Sequence, residues 1–486
     1  MTIVKVKWRS ADIRKHRWYF TEPTPTNPMM SLKSESSYKN SESWTDDLPV
    51  CKSTGIGFST NQIYRKDGHP QEDHPYEDCS SHFRFNDHFY WYALFDGHRG
   101  KRAAEFCSQR MTAEIYFSQL DELNTDEEVK ELLRQAFTTV EKGYMESLGD
   151  LLAERTSLHY DIPEGLNSYE AYQKVPQVME AIQRINCELS SGTVVAVALI
   201  FKNKLYVANV GNCRVLLCQT DPNSVLKVVQ LSVDHDVTNE DELLRLSQIG
   251  IDTKQFNHRS HIGNQETTRC LGNHTIKEGY RNFEDISMAT QEPIIAEPDV
   301  HGGIVLDESC RFLILMTAGL YRCVEEAIGT DQVNKYIAQC IVEQFREQST
   351  LTGVAQAVVD KVVRLHHDWY MSNTASGMPK REDITLVLRN FNFPLPNAAK
   401  SPAASFATPT GLSSNSGTAT LTKRDTPIGT GTGGDGTDTT TSSERVEVDQ
   451  SVGPDQKIKA YVDFAQFYEN LEIAKRMGPL PGFTNF

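Results

Sequence analysis

Between Ser401 and Ser443, 33 of 43 residues are Ser, Thr, Gly, Pro or Ala. Such a stretch buries too little apolar surface to offset the entropy of ordering its backbone, so it cannot join a packed core. It therefore limits on its C-terminal side whatever domain precedes it. Residues 1–42, ending in Pro, Ser, Lys and Asn, also lack apolar periodicity and read as a flexible leader. The pattern predicts one folded domain over residues 43–392, a linker over 393–456, and a last amphipathic segment over 457–475.

Inside 43–392 the periodicity switches repeatedly between helix and strand. Thr125-Asp-Glu-Glu128 is a capping box, in which a hydroxyl and a carboxylate satisfy N–H groups that a helix leaves open. Val129, Leu132, Leu133, Ala136, Phe137, Val140, Tyr144, Leu148, Leu151 and Leu152 follow at helical spacing, predicting one long helix that ends before His159. Thr193–Phe201 and Leu205–Val210 flank Lys202-Asn203-Lys204 and read as a hairpin. Further strands are expected at Arg214–Gln219, Val225–Val233, Arg311–Met316 and Ile384–Arg389. Asn239 caps a helix that stops at Gly250, and two more helices are expected at Asp331–Arg346 and Gly353–Tyr370. Helices grouped between hairpin-linked strands predict an α+β domain with antiparallel sheets.

Charge and cysteine usage narrow the function. With 49 basic and 65 acidic side chains the net charge is −16, which argues against nucleic acid as a partner. No apolar run approaches the length of a membrane span. The ten cysteines form no CxxC pair. Cys107, Cys187, Cys218 and Cys340 sit in apolar runs and are expected to be buried thiols in a reduced, cytosolic or nuclear protein, with the cytoplasm as the expected location.

Tyr90–Phe95 is an apolar strand that runs into Asp96-Gly-His-Arg-Gly100 and then a helix. A carboxylate at a strand end, with Gly where the backbone turns, can present oxygens to a hard divalent cation. Downstream stand Ser191-Gly-Thr193, Gly211-Asn-Cys-Arg214, Asp234-His235, Leu271-Gly-Asn273, Glu297-Pro298, Ala318-Gly-Leu-Tyr-Arg322 and Glu382-Asp383. In this order and spacing the segments resemble the motifs of the metal-dependent PPM-type serine/threonine phosphatases. The resemblance implies an αββα sandwich, with two antiparallel sheets between layers of helices. It also implies two metal ions held by a ring of carboxylates, which offset the repulsion of the dications and activate a water.

The departures are informative. Where that family has two acids in DGxxD, this chain has Ala318 and Arg322; where it has GDSR and LGD, this chain has Asn212 and Asn273. The first family motif, an Arg followed by Glu-Asp, is matched by Arg65 and by Glu72-Asp73 with an insertion. A vestigial metal set remains: Asp96, Gly97, Glu382 and Asp383. The expectation is a pseudophosphatase with no catalytic residues and no required cofactor, holding at most one weakly bound Mg²⁺ or Mn²⁺. Two other readings stay open: an active Mg/Mn-dependent protein Ser/Thr phosphatase with an altered metal site, and a phosphopeptide-binding module without turnover.

In the last segment, Tyr461, Phe464, Ala465, Tyr468 and Leu471 fall on one helical face, with Asp463, Gln466 and Glu469 on the other. Short isolated helices are marginal in water, so this one forms on its own domain or in the groove of another protein. Together with Ser43-Trp-Thr-Asp-Asp-Leu-Pro49, the combination resembles the family of regulatory binding proteins, subunit 1, of the TGF-β-activated kinase. That resemblance implies binding and activation of the kinase's catalytic domain through Tyr461, Val462, Asp463, Phe464, Ala465, Phe467 and Tyr468. It further implies a docking-scaffold role for the phosphatase fold in stress and innate immune signalling, with stress-activated MAP kinases and inhibitor-of-apoptosis proteins as further partners. A coil of about 60 residues spans on the order of 40 Å, which gives the helix reach.

Overall fold

In the computed structural model, described residues are Thr45, 48–65, 70–73, 75–118, 120–258, 261–372 and 380–396. The leader (1–42), the linker beyond residue 396 and the 457–475 segment lie outside them, as do all seven residues expected to bind the kinase.

The strands are β1 (Thr54–Ser59), β2 (Gln62–Tyr64), β3 (Pro70–Asp73), β4 (Cys79–Asn86), β5 (Phe89–His98), β6 (Gly192–Phe201), β7 (Lys204–Val210), β8 (Arg214–Thr220), β9 (Leu226–Gln230), β10 (Leu271–Gly272), β11 (Asp299–Val305), β12 (Cys310–Met316), β13 (Lys380–Arg381) and β14 (Ile384–Asn390). The helices are α1 (Arg102–Tyr116), α2 (Asp126–Ser147), α3 (Gly149–Tyr160), α4 (Ser168–Lys174), α5 (Pro176–Ser190), α6 (Glu240–Gln248), α7 (His274–Lys277), α8 (Ala318–Ile328), α9 (Val333–Glu347) and α10 (Leu351–Ser372). One antiparallel sheet runs β1-β14-β12-β8-β9, and a second runs β11-β7-β6-β5-β4 with β10 paired to β6. A small third sheet runs β13-β2-β3.

Alternation along the strands separates three cores. Tyr92 and Leu94 of β5 point between the two main sheets and meet Val215, Leu217, Leu313, Leu315 and Val387 of the other sheet. Trp91, Ala93 and Phe95 point outward, onto Met111 and Ile115 of α1 and Leu133, Phe137 and Val140 of α2. On the far side, Phe312, Ile314, Leu386 and Leu388 pack under α8, α9 and α10. The architecture is the αββα sandwich expected from the sequence. The two main sheets are packed on both faces, which explains why β6 is buried at every position.

Most elements fall where periodicity places them. The β6–β7 turn is tight, with Lys202 and Asn203 both at positive φ (48° and 63°), as a two-residue hairpin of primed type demands. The long helix is interrupted. Leu148 donates its N–H to Met145 O, closing α2 with a tighter turn, while its side chain is buried with Tyr144, Ile185 and Leu189. α3 restarts at Gly149 and runs to Tyr160. All ten cysteines are free thiols, but Cys187 is exposed, because α5 turns Ile182, Ile185 and Leu189 to the core instead. No helix among the described residues is long and apolar enough to cross a membrane.

α6 carries a buried ion cluster that ties it to the segment preceding β10. Glu242 is 1% exposed. It accepts from Arg245 Nη2 at 2.8 Å, Arg269 Nε at 3.0 Å and Thr268 Oγ1 at 2.5 Å. Burial alone would raise this carboxyl, but hydrogen bonds from Arg269 and Arg245 outweigh it and hold it at about 2. A depressed carboxylate stabilises the fold above its unfolded value, near 4.5, and loses that contribution as pH falls toward 2. Glu242→Gln is therefore expected to lower stability at pH 7 by roughly 2–4 kcal/mol, since it strands two guanidiniums. Urea unfolding at a series of pH values checks this: the gap between wild type and variant should close below about pH 4.5.

Candidate functional site

A cleft of about 590 Å³ opens at the ends of β5, β6 and β8. Its wall includes Asn61, Glu77, Asp96, Asn212, Glu266, Ala318, Arg322, Glu382 and Asp383. Ten successive pairs between β5 and β6 place Asp96 opposite Val194, Gly97 opposite Thr193 and His98 opposite Gly192. Thr193 Oγ1 donates to Asp96 O at 3.0 Å. Ser191 Oγ donates to Gly100 O at 2.9 Å and accepts from Ala103 N at 3.1 Å, anchoring the start of α1. The Ser-Gly-Thr and Asp-Gly-His segments are thus two halves of one corner.

Gly97 is required by close approach. A Cβ there would lie 2.3 Å from Glu77 O. That contact brings Glu77 and Asp78 to the site, in place of Glu72-Asp73, which match the first motif only with an insertion. Those two residues belong instead to the edge strand β3, which pairs with β2. Arg65 is likewise absent from the cleft wall. Glu77 and Asp78 immediately precede β4, and the adjacency of an Asp to a strand start was the available clue.

Asp78 Oδ2 accepts from Thr385 Oγ1 at 2.6 Å, and Tyr76 OH also meets that threonine hydroxyl. Asp78 Oδ1 is buried without a hydrogen-bond partner. Burial raises the Asp78 carboxyl, and Asp96 raises it further. Asp96 is raised by burial and then by Glu382, with Arg322 acting in the opposite direction. Two carboxyls so placed resist being charged together unless a cation joins them.

Glu382 and Asp383 diverge although adjacent. Asp383 Oδ1 accepts from Asn61 N at 2.5 Å and Asn61 Nδ2 at 3.0 Å, and Oδ2 accepts from Glu77 N at 2.9 Å. Its carboxylate thus ties two strand ends together. Glu382 faces Arg322, whose Nη1 lies 3.3 Å from Oε2 and 3.5 Å from Oε1. The same Nη1 donates to Glu266 Oε2. Arg322 sits in the second turn of α8, and Gly319 lets that helix rest on Asp383 O, where a Cβ would come within 2.1 Å. Ala318 contributes a methyl group to the wall.

The remaining motif residues build the frame. Arg214 pairs with Asp234, at 2.8 Å from Nη2 to Oδ2, and stacks 3.6 Å from the Tyr321 ring centroid. His235 meets Gly211 through Nδ1 and Asp299 Oδ2 through Nε2 at 2.7 Å. Asn212 lines the cleft, and its carbonyl accepts from Tyr321 OH at 3.1 Å. Asn273 is buried beside the cleft wall in the left-handed region (φ 55°) and donates to Gln265 Oε1 at 2.7 Å. His98, also on the wall, is pushed down to about 4 by burial, with Arg99 and Lys277 adding to the effect. Of the vestigial set, Asp96, Gly97, Glu382 and Asp383 all line one cleft. Among the described residues, no group of three or more His, Cys, Asp or Glu side chains is arranged to hold a metal ion.

Gly97→Ala should destabilise the domain by about 2 kcal/mol or more, because the nearest atom is a backbone carbonyl that cannot move aside. Gly149→Ala, in open space at the start of α3, should be neutral or stabilising by up to about 1 kcal/mol. Denaturant midpoints of the two variants against wild type test the contrast.

Residues 166–364 match the family model described as protein phosphatase 2C. The chain is 25% identical over 353 residues to a Caenorhabditis elegans protein named TGF-beta-activated kinase 1 and MAP3K7-binding protein 1, covering 71% of this chain and 83% of that one. It is 28% identical over 277 residues to probable protein phosphatase 2C 2 of Paramecium tetraurelia, covering 56% and 75%. Among solved structures, a serine-threonine phosphatase 2C from Toxoplasma gondii superposes with a TM-score of 0.42 at 16% identity, covering 71% of this chain and 98% of that one.

Proposed function

We propose that this chain, whose folded part is a phosphatase 2C-type αββα domain, is a non-catalytic adaptor that binds and activates a MAP kinase kinase kinase. The observation that carries the proposal is Arg322. In this cleft a guanidinium stands between Glu266 and Glu382, at a position where the phosphatase motif has an acid. Ala318 supplies no oxygen at the other acid position of that motif, and Asn212 and Asn273 are neutral where the motifs have Asp. Asp383, which could have compensated, spends both oxygens on Asn61 and Glu77. Two dications a few ångströms apart need dense negative charge around them, and this donor set does not fit such a pair. The domain is accordingly a pseudophosphatase, with no metal required for its role.

Similarity to a protein named for binding a kinase supports the other half of the proposal. The kinase's catalytic domain would be engaged by the C-terminal segment, with Tyr461, Phe464 and Tyr468 as anchors and Val462, Asp463, Ala465 and Phe467 around them. Large aromatic side chains that leave water on binding carry a disproportionate share of interface energy. The phosphatase fold then serves as a docking scaffold for other signalling proteins, such as stress-activated MAP kinases or inhibitor-of-apoptosis proteins, in the cytoplasm.

One observation favours a second reading, an active Mg/Mn-dependent phosphatase with an altered site: Asp78 Oδ1 is a buried acceptor without a partner beside Asp96, and such an acceptor suits a cation. Two measurements decide between them. Phe464→Ala should abolish pull-down and activation of the kinase while leaving the thermal unfolding of the folded domain unchanged; retained pull-down would remove the adaptor reading. Wild-type protein should not hydrolyse a phosphopeptide in Mn²⁺ above an Asp96→Asn control, and turnover that the control lacks would establish the phosphatase.

A further inference from the structure

We infer that the Arg322 guanidinium is a built-in cation that takes the metal's structural place in the cleft, stapling three separate segments and shutting divalent ions out. The inference rests on the non-catalytic reading above but concerns what holds the cleft together rather than what the chain binds. Arg322 belongs to α8. Glu266 belongs to the segment that precedes β10, and Glu382 to the two-residue link between β13 and β14. These segments come from positions 56 and 60 residues away from Arg322 in sequence, and one Nη1 reaches both carboxylates. Asp96 feels the same charge, which opposes the effect of Glu382 on its carboxyl.

The guanidinium suits this task for chemical reasons. It remains protonated at any physiological pH, and its planar fork offers several donors in fixed directions, so one side chain can bridge acids on different elements. Arg322 is about 29% exposed, against 34% for Glu266 and 42% for Glu382. The staple is therefore screened from solvent on the Arg322 side more than on the carboxylate side. Its helix rests on Asp383 O at Gly319, which fixes the Cα from which the Arg322 side chain reaches its two partners. A dication approaching Asp96 and Glu382 would meet a fixed positive charge, and would have to displace it from both of its partners.

Glu266 is the element that the phosphatase motifs do not anticipate. His261 Nε2 lies 3.5 Å from Glu266 Oε1, and Gln265 beside it accepts from buried Asn273. The staple thus reaches through Glu266 to the loop that covers Asn273, and orders one side of the cleft without a metal.

The test uses the full-length protein. Wild type should give no saturable heat with Mn²⁺ in calorimetry, and the same unfolding midpoint in EDTA as in millimolar Mn²⁺. Arg322→Asp should unfold at a lower temperature in EDTA and regain roughly 2–4 °C or more in Mn²⁺. Ala318→Asp, with Arg322 intact, should remain insensitive to Mn²⁺. Arg322→Gln, the milder change, should speed amide hydrogen exchange at both 261–268 and 380–383. The inference is overturned by saturable Mn²⁺ binding to wild type, by an Arg322→Asp protein indifferent to Mn²⁺, by a Mn²⁺ response in Ala318→Asp alone, or by unchanged exchange in Arg322→Gln. Mn²⁺ binding without turnover would sink this inference and leave the adaptor proposal standing, whereas a failed kinase pull-down would do the reverse.

Discussion

The ten-residue register between β5 and β6 is the constraint on which the rest depends. It fixes which side chains of β5 face the inter-sheet core and which face α1 and α2. It also carries Asp96, Gly97 and His98 past the end of the core and into the cleft. Because β10 pairs with the first residues of β6, the same register places Leu271-Gly272 and the turn at Asn273. A slip of one residue would exchange Trp91, Ala93 and Phe95 with Tyr92 and Leu94, and no packing of the two sheets would survive it.

Much of this was legible in the sequence, because the governing physics is local. Capping chemistry marked the starts of α2 and α6, and alternation marked the paired strands. The Lys202-Asn203 turn was visible from the short polar gap between two apolar runs. What escaped notice depended on contacts distant in sequence. Leu148 reads as one more apolar residue in a helical stripe; only Ile185 and Leu189 on another helix explain why it ends α2. Cys187 lies in an apolar run, yet its face of α5 is decided by the neighbours Ile182 and Ile185. Glu77-Asp78 and Glu72-Asp73 are equally plausible acidic pairs in a list. The choice was made by Gly97, which admits only a backbone carbonyl at van der Waals range. Glu266 carried no motif at all, and nothing local distinguishes it from other surface acids.

The cleft shows how charge can be rearranged without changing the fold. It keeps Glu77, Asp96, Glu266, Glu382 and Asp383 along its wall, and answers them with Arg99 and Arg322. Asp383 acts as a strut and Glu382 as a counterion to Arg322. The frame around them includes the Arg214–Asp234 and His235–Asp299 pairs, which link separate segments of the chain. Such a frame can persist whatever chemistry the cleft performs.

Gly97 and Gly319 show where a name can mislead. Both are demanded by carbonyl oxygens that lie where a side chain would begin, so this chain needs them for its packing, whether or not it turns over substrate. Half of what a pattern search recognises in Asp-Gly-His and Ala-Gly-Leu-Tyr-Arg is therefore a spacing requirement of the scaffold. The positions that set the charge of the cavity are 318, which contributes only a methyl group, and 322, which brings a guanidinium between Glu266 and Glu382. At those two positions a single methyl group and a single guanidinium decide how much negative charge the cavity presents to whatever enters it.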